Sequence, residues 1–245
     1  MNPRPDALEK LQLEMDQRAS PIGRRAFLSV AALGVAGIFV GKSLSDTLDS
    51  SSVGKAISKT GIPLPISKWT YWTVTDGYPA KSKADYRLKI SGLVNTPITL
   101  SYEELLKRKR TAFTKDFQCV TGWRVRSVPW VGVKLSDLLD EVGIQPNAKA
   151  IRFTSFDGAY TESLTMAQAR RPDMIVAYSL EGGDISTEHG GPVRLYAAPM
   201  YGYKSIKWLD GIEVVDKVIP GYWEERGYDV DAWTGKSNGL SDEPT

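Results

Sequence analysis

Phe117-Gln118-Cys119-Val120-Thr121-Gly122-Trp123 holds the only cysteine of a 245-residue chain. A single thiol has three readings: a small buried hydrophobe, a reactive nucleophile, or one soft ligand to a metal that takes its other ligands elsewhere. Free cysteine is among the most buried residue types, so composition alone favours the first. The sequence on either side of this segment favours the third.

Upstream, Ser20-Pro21-Ile22-Gly23-Arg24-Arg25-Ala26-Phe27-Leu28 sets two adjacent arginines and a Phe-Leu pair before an apolar run from 28 to 41. The run is short for a membrane span and rich in Gly and Ala, as in a twin-arginine signal; an ordinary signal-anchor with a chance Arg-Arg is the alternative. Exported proteins usually pair their cysteines, and Cys119 has none to pair with. The twin-arginine route carries folded proteins, which matters when a cofactor is inserted before export. No clean Ala-x-Ala cleavage site follows the run, so it reads as a signal or an anchor. The expected organisation is a polar cytoplasmic segment over 1–19, a twin-arginine signal or signal-anchor over 20–45, a linker over 46–66, a folded domain over 67–235 and a polar tail over 236–245. The domain is expected to be extracytoplasmic, with membrane association through the N-terminal segment.

Thirty-one Lys and Arg against 29 Asp and Glu give a net charge of +2, which argues against nucleic acid as the main partner. The run Lys107-Arg108-Lys109-Arg110 is the local exception. It falls where a helix opened by the capping box Ser101-Tyr102-Glu103-Glu104 should end, and the dipole favours cations there. Leu135, Leu138, Leu139 and Val142 form the apolar stripe of a second short helix, stopped by Gly143. A third is expected over 165–171, before Pro172. Strands are expected over 87–94, 150–156, 174–180 and 192–198, with two short strand patterns over 204–215 broken at Asp210-Gly211. Strands and short helices mix without a regular βαβ rhythm, so the fold class is α+β.

His189-Gly190-Gly191-Pro192-Val193-Arg194 places the only histidine and an arginine around two glycines, which let backbone approach an anion closely. Tyr201-Gly202-Tyr203-Lys204-Ser205-Ile206-Lys207-Trp208-Leu209 again sets a glycine beside lysines and a hydroxyl. In a regular strand Lys204 and Lys207 would face opposite sides, so at most one of them serves a given site. Structural zinc and iron–sulfur centres need more ligands than one Cys and one His, and no Cys-x-x-Cys-His haem attachment occurs. A Cys119–His189 protease pair stays formally open. Two glycine-plus-cation segments and one thiol describe a site for an anionic, metal-bearing organic cofactor.

These three motifs, in this order, resemble the molybdopterin-binding domain of the sulfite oxidase superfamily. The resemblance is closest to its bacterial, twin-arginine-exported branch, which includes the catalytic subunit of periplasmic methionine sulfoxide reductase, and spans roughly residues 69–235. It implies a mixed-sheet α+β fold and a molybdopterin whose sulfurs bind molybdenum, with Cys119 as the protein's thiolate ligand. Position by position, it implies that His189 and Arg194 hold the pterin phosphate, with His189 favoured in its protonated form, and that Ser205, Ile206 and Lys207 surround the same cofactor. Thr154 matches a cofactor-contacting threonine on the strand after the cysteine helix, and Tyr71 and Trp72 fall in the N-terminal cofactor-contacting segment. Sulfite-oxidising members place arginines near the metal; Arg124 and Arg126 are the nearest here in sequence.

The implied activity is oxygen-atom transfer on a small oxo-substrate of sulfoxide or sulfite type. With no haem motif present, electrons are expected to pass to or from a separate partner, such as a membrane haem protein. The turn Asp157-Gly158-Ala159-Tyr160 is a candidate to reach the open face of the metal, with Tyr160 as a catalytic group. The aromatics of 220–233 read as a lid over the core. A non-catalytic extracytoplasmic binding domain on the same fold is the reading from a different class.

Overall fold

Ser101 opens the first helix as its chemistry dictates. In the computed structural model, which describes residues 69–121 and 123–235, its hydroxyl accepts from Glu104 N at 3.2 Å while Ser101 N donates to the Glu104 carboxylate at 2.8 Å. This box caps α1 (Tyr102–Leu106). The expected signal, linker and tail fall outside the described residues. Thr165 and Gln168 repeat the device at α3 (Met166–Ala169), shorter than the expected 165–171. The four apolar residues of α2 (Leu135–Val142) are buried together, and Gly143 ends it at φ 66°. Burying each Leu of that stripe contributes roughly 1.5–3 kcal/mol.

The remaining elements are strands: β1 (Arg87–Gly92), β2 (Ile98–Ser101), β3 (Arg110–Gln118), β4 (Arg124–Lys134), β5 (Ala150–Ser155), β6 (Thr161–Thr165), β7 (Met174–Leu180), β8 (Gly183–Asp184), β9 (Arg194–Ala197) and β10 (Leu209–Val215). One sheet runs β2-β1-β10-β5-β6, with β1 parallel to β10 and its other pairs antiparallel. The other runs β3-β4-β7-β8, with β9 also on β7. Alternation places Leu88 and Ile90 of β1 in the core and Lys89 in solvent.

The strand patterns expected over 204–215 resolve differently. Gly202–Lys204 form a 3-10 turn, and a single strand follows with a bulge between Leu209 and Gly211. Gly211 lies directly over Thr154 of β5, where a side chain would collide with the threonine hydroxyl. The long hairpin β3–β4 replaces what the charge run announced only as a helix end: Lys107 caps α1, and Arg110 already belongs to β3.

Two apolar clusters result. The larger lies among the β2-β1-β10-β5-β6 sheet and α1, α2 and α3. The smaller is aromatic, with Phe117, Trp123, Trp130 and Tyr196 buried and Trp69, Phe113 and Cys119 packed against them. Trp130 stacks on Tyr196 at 4.0 Å between ring centroids. With Val193, Leu195, Ile206 and Leu209 in the larger cluster, 190–195 runs beside 206–209 through the bonds Leu195 N to Ile206 O, Leu209 N to Val193 O and Trp208 N to Gly190 O. These bonds tie β9 of one sheet to the start of β10 of the other, and the paired segments carry two of the three motifs.

Candidate functional site

Cys119 sits immediately after β3, at the turn of the β3–β4 hairpin, so the cysteine segment is a hairpin turn and not a helix. Its backbone N–H donates to Trp123 O at 2.9 Å, closing the turn. Its side chain is half-buried, and Thr121 Oγ1 donates to Sγ at 3.2 Å. The sulfur is thus held at the edge of the aromatic cluster with a hydroxyl donor on it, a position that suits a ligand better than a core filler.

The preceding residues bring the other motifs to it. Gly202 packs flat on the Phe117 ring, where a Cβ would lie 2.6 Å from ring carbon Cζ, and the Arg194 guanidinium lies 5.3 Å from the centroid of the same ring. Trp69 bridges the two sides, with its ring 5.1 Å from Phe117 and 4.7 Å from His189. Sequence reasoning missed Trp69 because its partners are all distant in the chain.

Arg194 is 3% exposed and spends its donors on backbone. Nη1 donates to His189 O at 2.6 Å, Nη2 to Ser205 O at 2.7 Å and Nε to Leu195 O at 3.3 Å. It therefore ties the His189 loop to the 205–207 segment. Burial lowers its pKa to about 10, and it makes no ion pair among the described residues. Lys207 is similar: burial first, then Arg194, lowers it to about 7, and among the described residues its ammonium donates to Trp72 O at 2.6 Å and Glu188 O at 3.1 Å and to no carboxylate. Ser205 Oγ accepts from Ala197 N, and Ile206 is buried with its carbonyl on Leu195 N.

His189 lies between Trp69 and Tyr71, whose ring is 4.8 Å away edge-on. Its Nδ1 meets Ser186 Oγ at 3.0 Å, while Nε2 is sealed from water without a hydrogen-bond partner. Burial first, then Arg194, lowers its pKa to about 4, so without an anion it is neutral. The protonated form expected beside a phosphate therefore requires the anion itself to offset both causes. Gly190 and Gly191 complete the cradle: side chains there would run into Lys207 and the Ile185 backbone, so only glycine lets these segments close up. Among the described residues Arg194, Lys207 and His189 have no direct carboxylate partner, and His189 Nε2 has no hydrogen-bond partner at all, an arrangement whose chemistry can accept an anion.

The other expected residues stand as follows. Tyr71 and Trp72 join the cluster, Tyr71 through the His189 ring and the 62% exposed Trp72 through its carbonyl on Lys207. The Thr154 hydroxyl donates to Asp210 Oδ1 at a long 3.3 Å, and no hydrogen bond or ring contact joins it to the cluster among the described residues. The Tyr160 hydroxyl donates to Tyr203 O at 2.7 Å, and its ring stacks on Tyr222. Arg124 is pinned to Asp116 by Nε at 2.7 Å and by Nη2, which fastens the hairpin. The aromatics of 222–228 pack on one another and on Tyr203, with Arg226 over Tyr222.

Lys204 points the other way, as the opposed lysines of a strand would, although the local backbone is a 3-10 turn. Fully buried, it donates to Glu162 Oε1 at 2.6 Å and to Glu224 Oε1. Two carboxylates around one ammonium leave a negative charge too many. Burial first, with Glu224 adding to it, raises Glu162 to about 8. The folded chain thus keeps a proton that the unfolded chain has released. This stabilisation is complete below 4.5 and is lost as pH rises through about 8. Glu162→Gln, which keeps a polar group of the same shape, is expected to flatten the fall of Tm over that window; an unchanged slope would place the proton elsewhere.

Comparison with known proteins identifies the family to which this domain belongs. The family described as the oxidoreductase molybdopterin binding domain matches residues 76–223. Oxidoreductase YuiH of Bacillus subtilis is 32% identical over 60% of this chain and 75% of its own length. The catalytic subunit MsrP of a protein-methionine-sulfoxide reductase from Ralstonia nicotianae is 31% identical over 56% of this chain and 46% of its own. Sulfite oxidase of Arabidopsis thaliana is 28% identical over 58% and 45%. The chain thus spans less than half of the last two. Among solved structures, the sulfane dehydrogenase SoxCD of Paracoccus pantotrophus superposes with a TM-score of 0.54 at 28% identity, over 58% of this chain and 41% of that one. The chain belongs to the oxidoreductase molybdopterin binding domain family, and it is an α+β oxidoreductase domain whose cofactor is molybdopterin with molybdenum.

Proposed function

We propose that this domain catalyses oxygen-atom transfer on a small sulfoxide- or sulfite-type substrate, with Cys119 as the thiolate ligand of molybdenum. The observation that carries this reading is the gathering of a half-buried thiol, Arg194 and the orphaned Nε2 of His189 about Phe117 and Trp69, with Lys207 near enough to act electrostatically on His189 and to feel Arg194. When bound, molybdenum supplies the redox couple that takes up or releases an oxygen atom. The chain's own residues do the rest. Cys119 Sγ supplies the protein ligand and receives the Thr121 hydroxyl, which draws charge from the sulfur. His189 and Arg194 hold the phosphate side, Lys207 adds positive field, and Ser205 and Ile206 keep the 205–207 backbone in register with Arg194. Thr154, whose bond to Asp210 is weak at 3.3 Å, contacts the cofactor from β5. Tyr71 and Trp72 close over the His189–Lys207 side.

Tyr160 enters as a positioning residue: its hydroxyl anchors Tyr203 O and hence the turn before Ser205. Tyr160→Phe is expected to cost about 1 kcal/mol of stability and to lower kcat modestly with KM unchanged. Equal stability and unchanged turnover would remove Tyr160 from the site.

Sulfite and methionine sulfoxide, the substrates in the relatives' names, share a sulfur–oxygen group and support the substrate class. Electrons exchange with a separate redox partner, and export by the twin-arginine pair at Arg24-Arg25 would place the domain outside the cytoplasm, near a membrane haem protein. The test is a metal and pterin assay on natively matured full chain, followed by sulfoxides and sulfite with an artificial electron donor or acceptor. Molybdenum and pterin in equal amounts, with turnover on one of these substrates, is expected. A metal-free protein with full activity would overturn the reading.

A further inference from the structure

His189 does not stand alone: a chain of hydrogen bonds runs from it to a carboxylate. Ser186 Oγ lies 2.8 Å from Glu188 Oε2 and 3.0 Å from His189 Nδ1. Hydrogen bonding from its own backbone N–H first, and then from Ser186, holds the Glu188 carboxyl below its ordinary range, so at neutral pH it is ionised and only accepts. The single hydroxyl proton of Ser186 therefore points to Glu188. Ser186 Oγ then has only a lone pair to offer Nδ1, and Nδ1 must carry the proton. A neutral imidazole with its proton on Nδ1 presents a bare lone pair at Nε2, the buried atom without a partner.

We propose that Ser186 and Glu188 are positioning residues that fix His189 as the Nδ1–H tautomer, so that an anion can be held at Nε2 only by the imidazolium and binds together with one proton from solvent. Were His189 free to choose its tautomer, neutral Nε2–H would donate to the anion and no proton would be taken up. The charged groups around the ring leave the need for that proton intact. Arg194 and Lys207 oppose protonation, and Glu181 and Glu188 favour it. The rings of Trp69 and Tyr71 stand perpendicular to the imidazole, and among the described residues Nε2 has no hydrogen-bond partner. Without an anion the balance leaves His189 neutral, with a pKa of about 4. The anion here is the cofactor phosphate, so the coupling rests on the function proposed above, whereas the tautomer does not.

Because the chain holds one histidine, histidine-selective nitrogen-15 labelling of the full chain yields one pair of imidazole signals per state. In cofactor-free protein at pH 7, Nδ1 is expected to be protonated and Nε2 bare. Ser186 is exposed, so Ser186→Ala should fold normally and shift the population to Nε2–H. Glu188→Gln, whose amide can donate to Ser186, should shift it the same way. In the cofactor-loaded chain, both nitrogens of wild-type His189 should stay protonated, and Ser186→Ala should lower the titration midpoint by about one pH unit or more. An Nε2–H tautomer in the cofactor-free wild type, or a tautomer unmoved by both variants, overturns the relay whatever the cofactor does. An Nδ1–H tautomer that does not change on loading overturns the phosphate contact at His189, and the proton coupling with it.

Discussion

Arg194→Met is expected to abolish most of the stability difference between cofactor-loaded and cofactor-free protein while changing the cofactor-free chain little. Two opposing effects decide this. Removing the guanidinium leaves the buried carbonyls of His189 and Ser205 without their donors, at about 1–3 kcal/mol each. It also relieves the burial of a cation whose pKa has fallen from 12.5 to about 10, which is worth on the order of 3 kcal/mol in the other direction. In the cofactor-free chain the two effects oppose each other and are of similar size, about 2–6 against about 3 kcal/mol. In the loaded chain the cation is matched by an anion, so its loss is not offset, and the variant should purify with pterin near background. Denaturant unfolding of both forms, with pterin quantified, checks this. A variant that keeps its cofactor but loses several kcal/mol in the cofactor-free state would make Arg194 a structural staple only.

Cys119→Ser should reduce turnover by more than the roughly 10–100-fold that follows loss of an outer partner of a metal site. The side chain is half-buried and nearly isosteric with its replacement, so folding should change by under about 1 kcal/mol and the loss belongs to chemistry. Thr121→Val provides the scale. It removes only the hydroxyl on Sγ, and should fall within that 10–100-fold range. If Cys119→Ser and Thr121→Val were equally mild, the sulfur would be a bystander.

What could be read in the sequence was local or carried by the motifs. The Ser101–Glu104 capping box, the α2 stripe and the strand over 174–180 depend on neighbours a few residues apart, and the structure has them. The β3–β4 hairpin could not be read that way. It is exposed and charged at Arg110, Lys115 and Arg126, and Pro129 sits inside β4 like a breaker, with its carbonyl taking Glu181 N instead. Its apolar positions make sense only against Tyr196 and Trp69, which arrive from elsewhere in the chain. The site divides likewise. His189, Arg194 and Lys207 stand out as cations beside glycines, but their lack of carboxylate partners is a property of three dimensions. That Lys204 is spent on Glu162 and Glu224, and that Ser186 lies between Glu188 and His189, likewise needed the fold.

The most direct measurement is molybdenum X-ray absorption on natively matured full chain and on Cys119→Ser prepared alongside it. A metal bound by the Cys119 thiolate requires the variant's sulfur shell to lose one scatterer while the pterin sulfurs remain. An identical sulfur shell in both proteins would contradict the assignment of Cys119 to the metal.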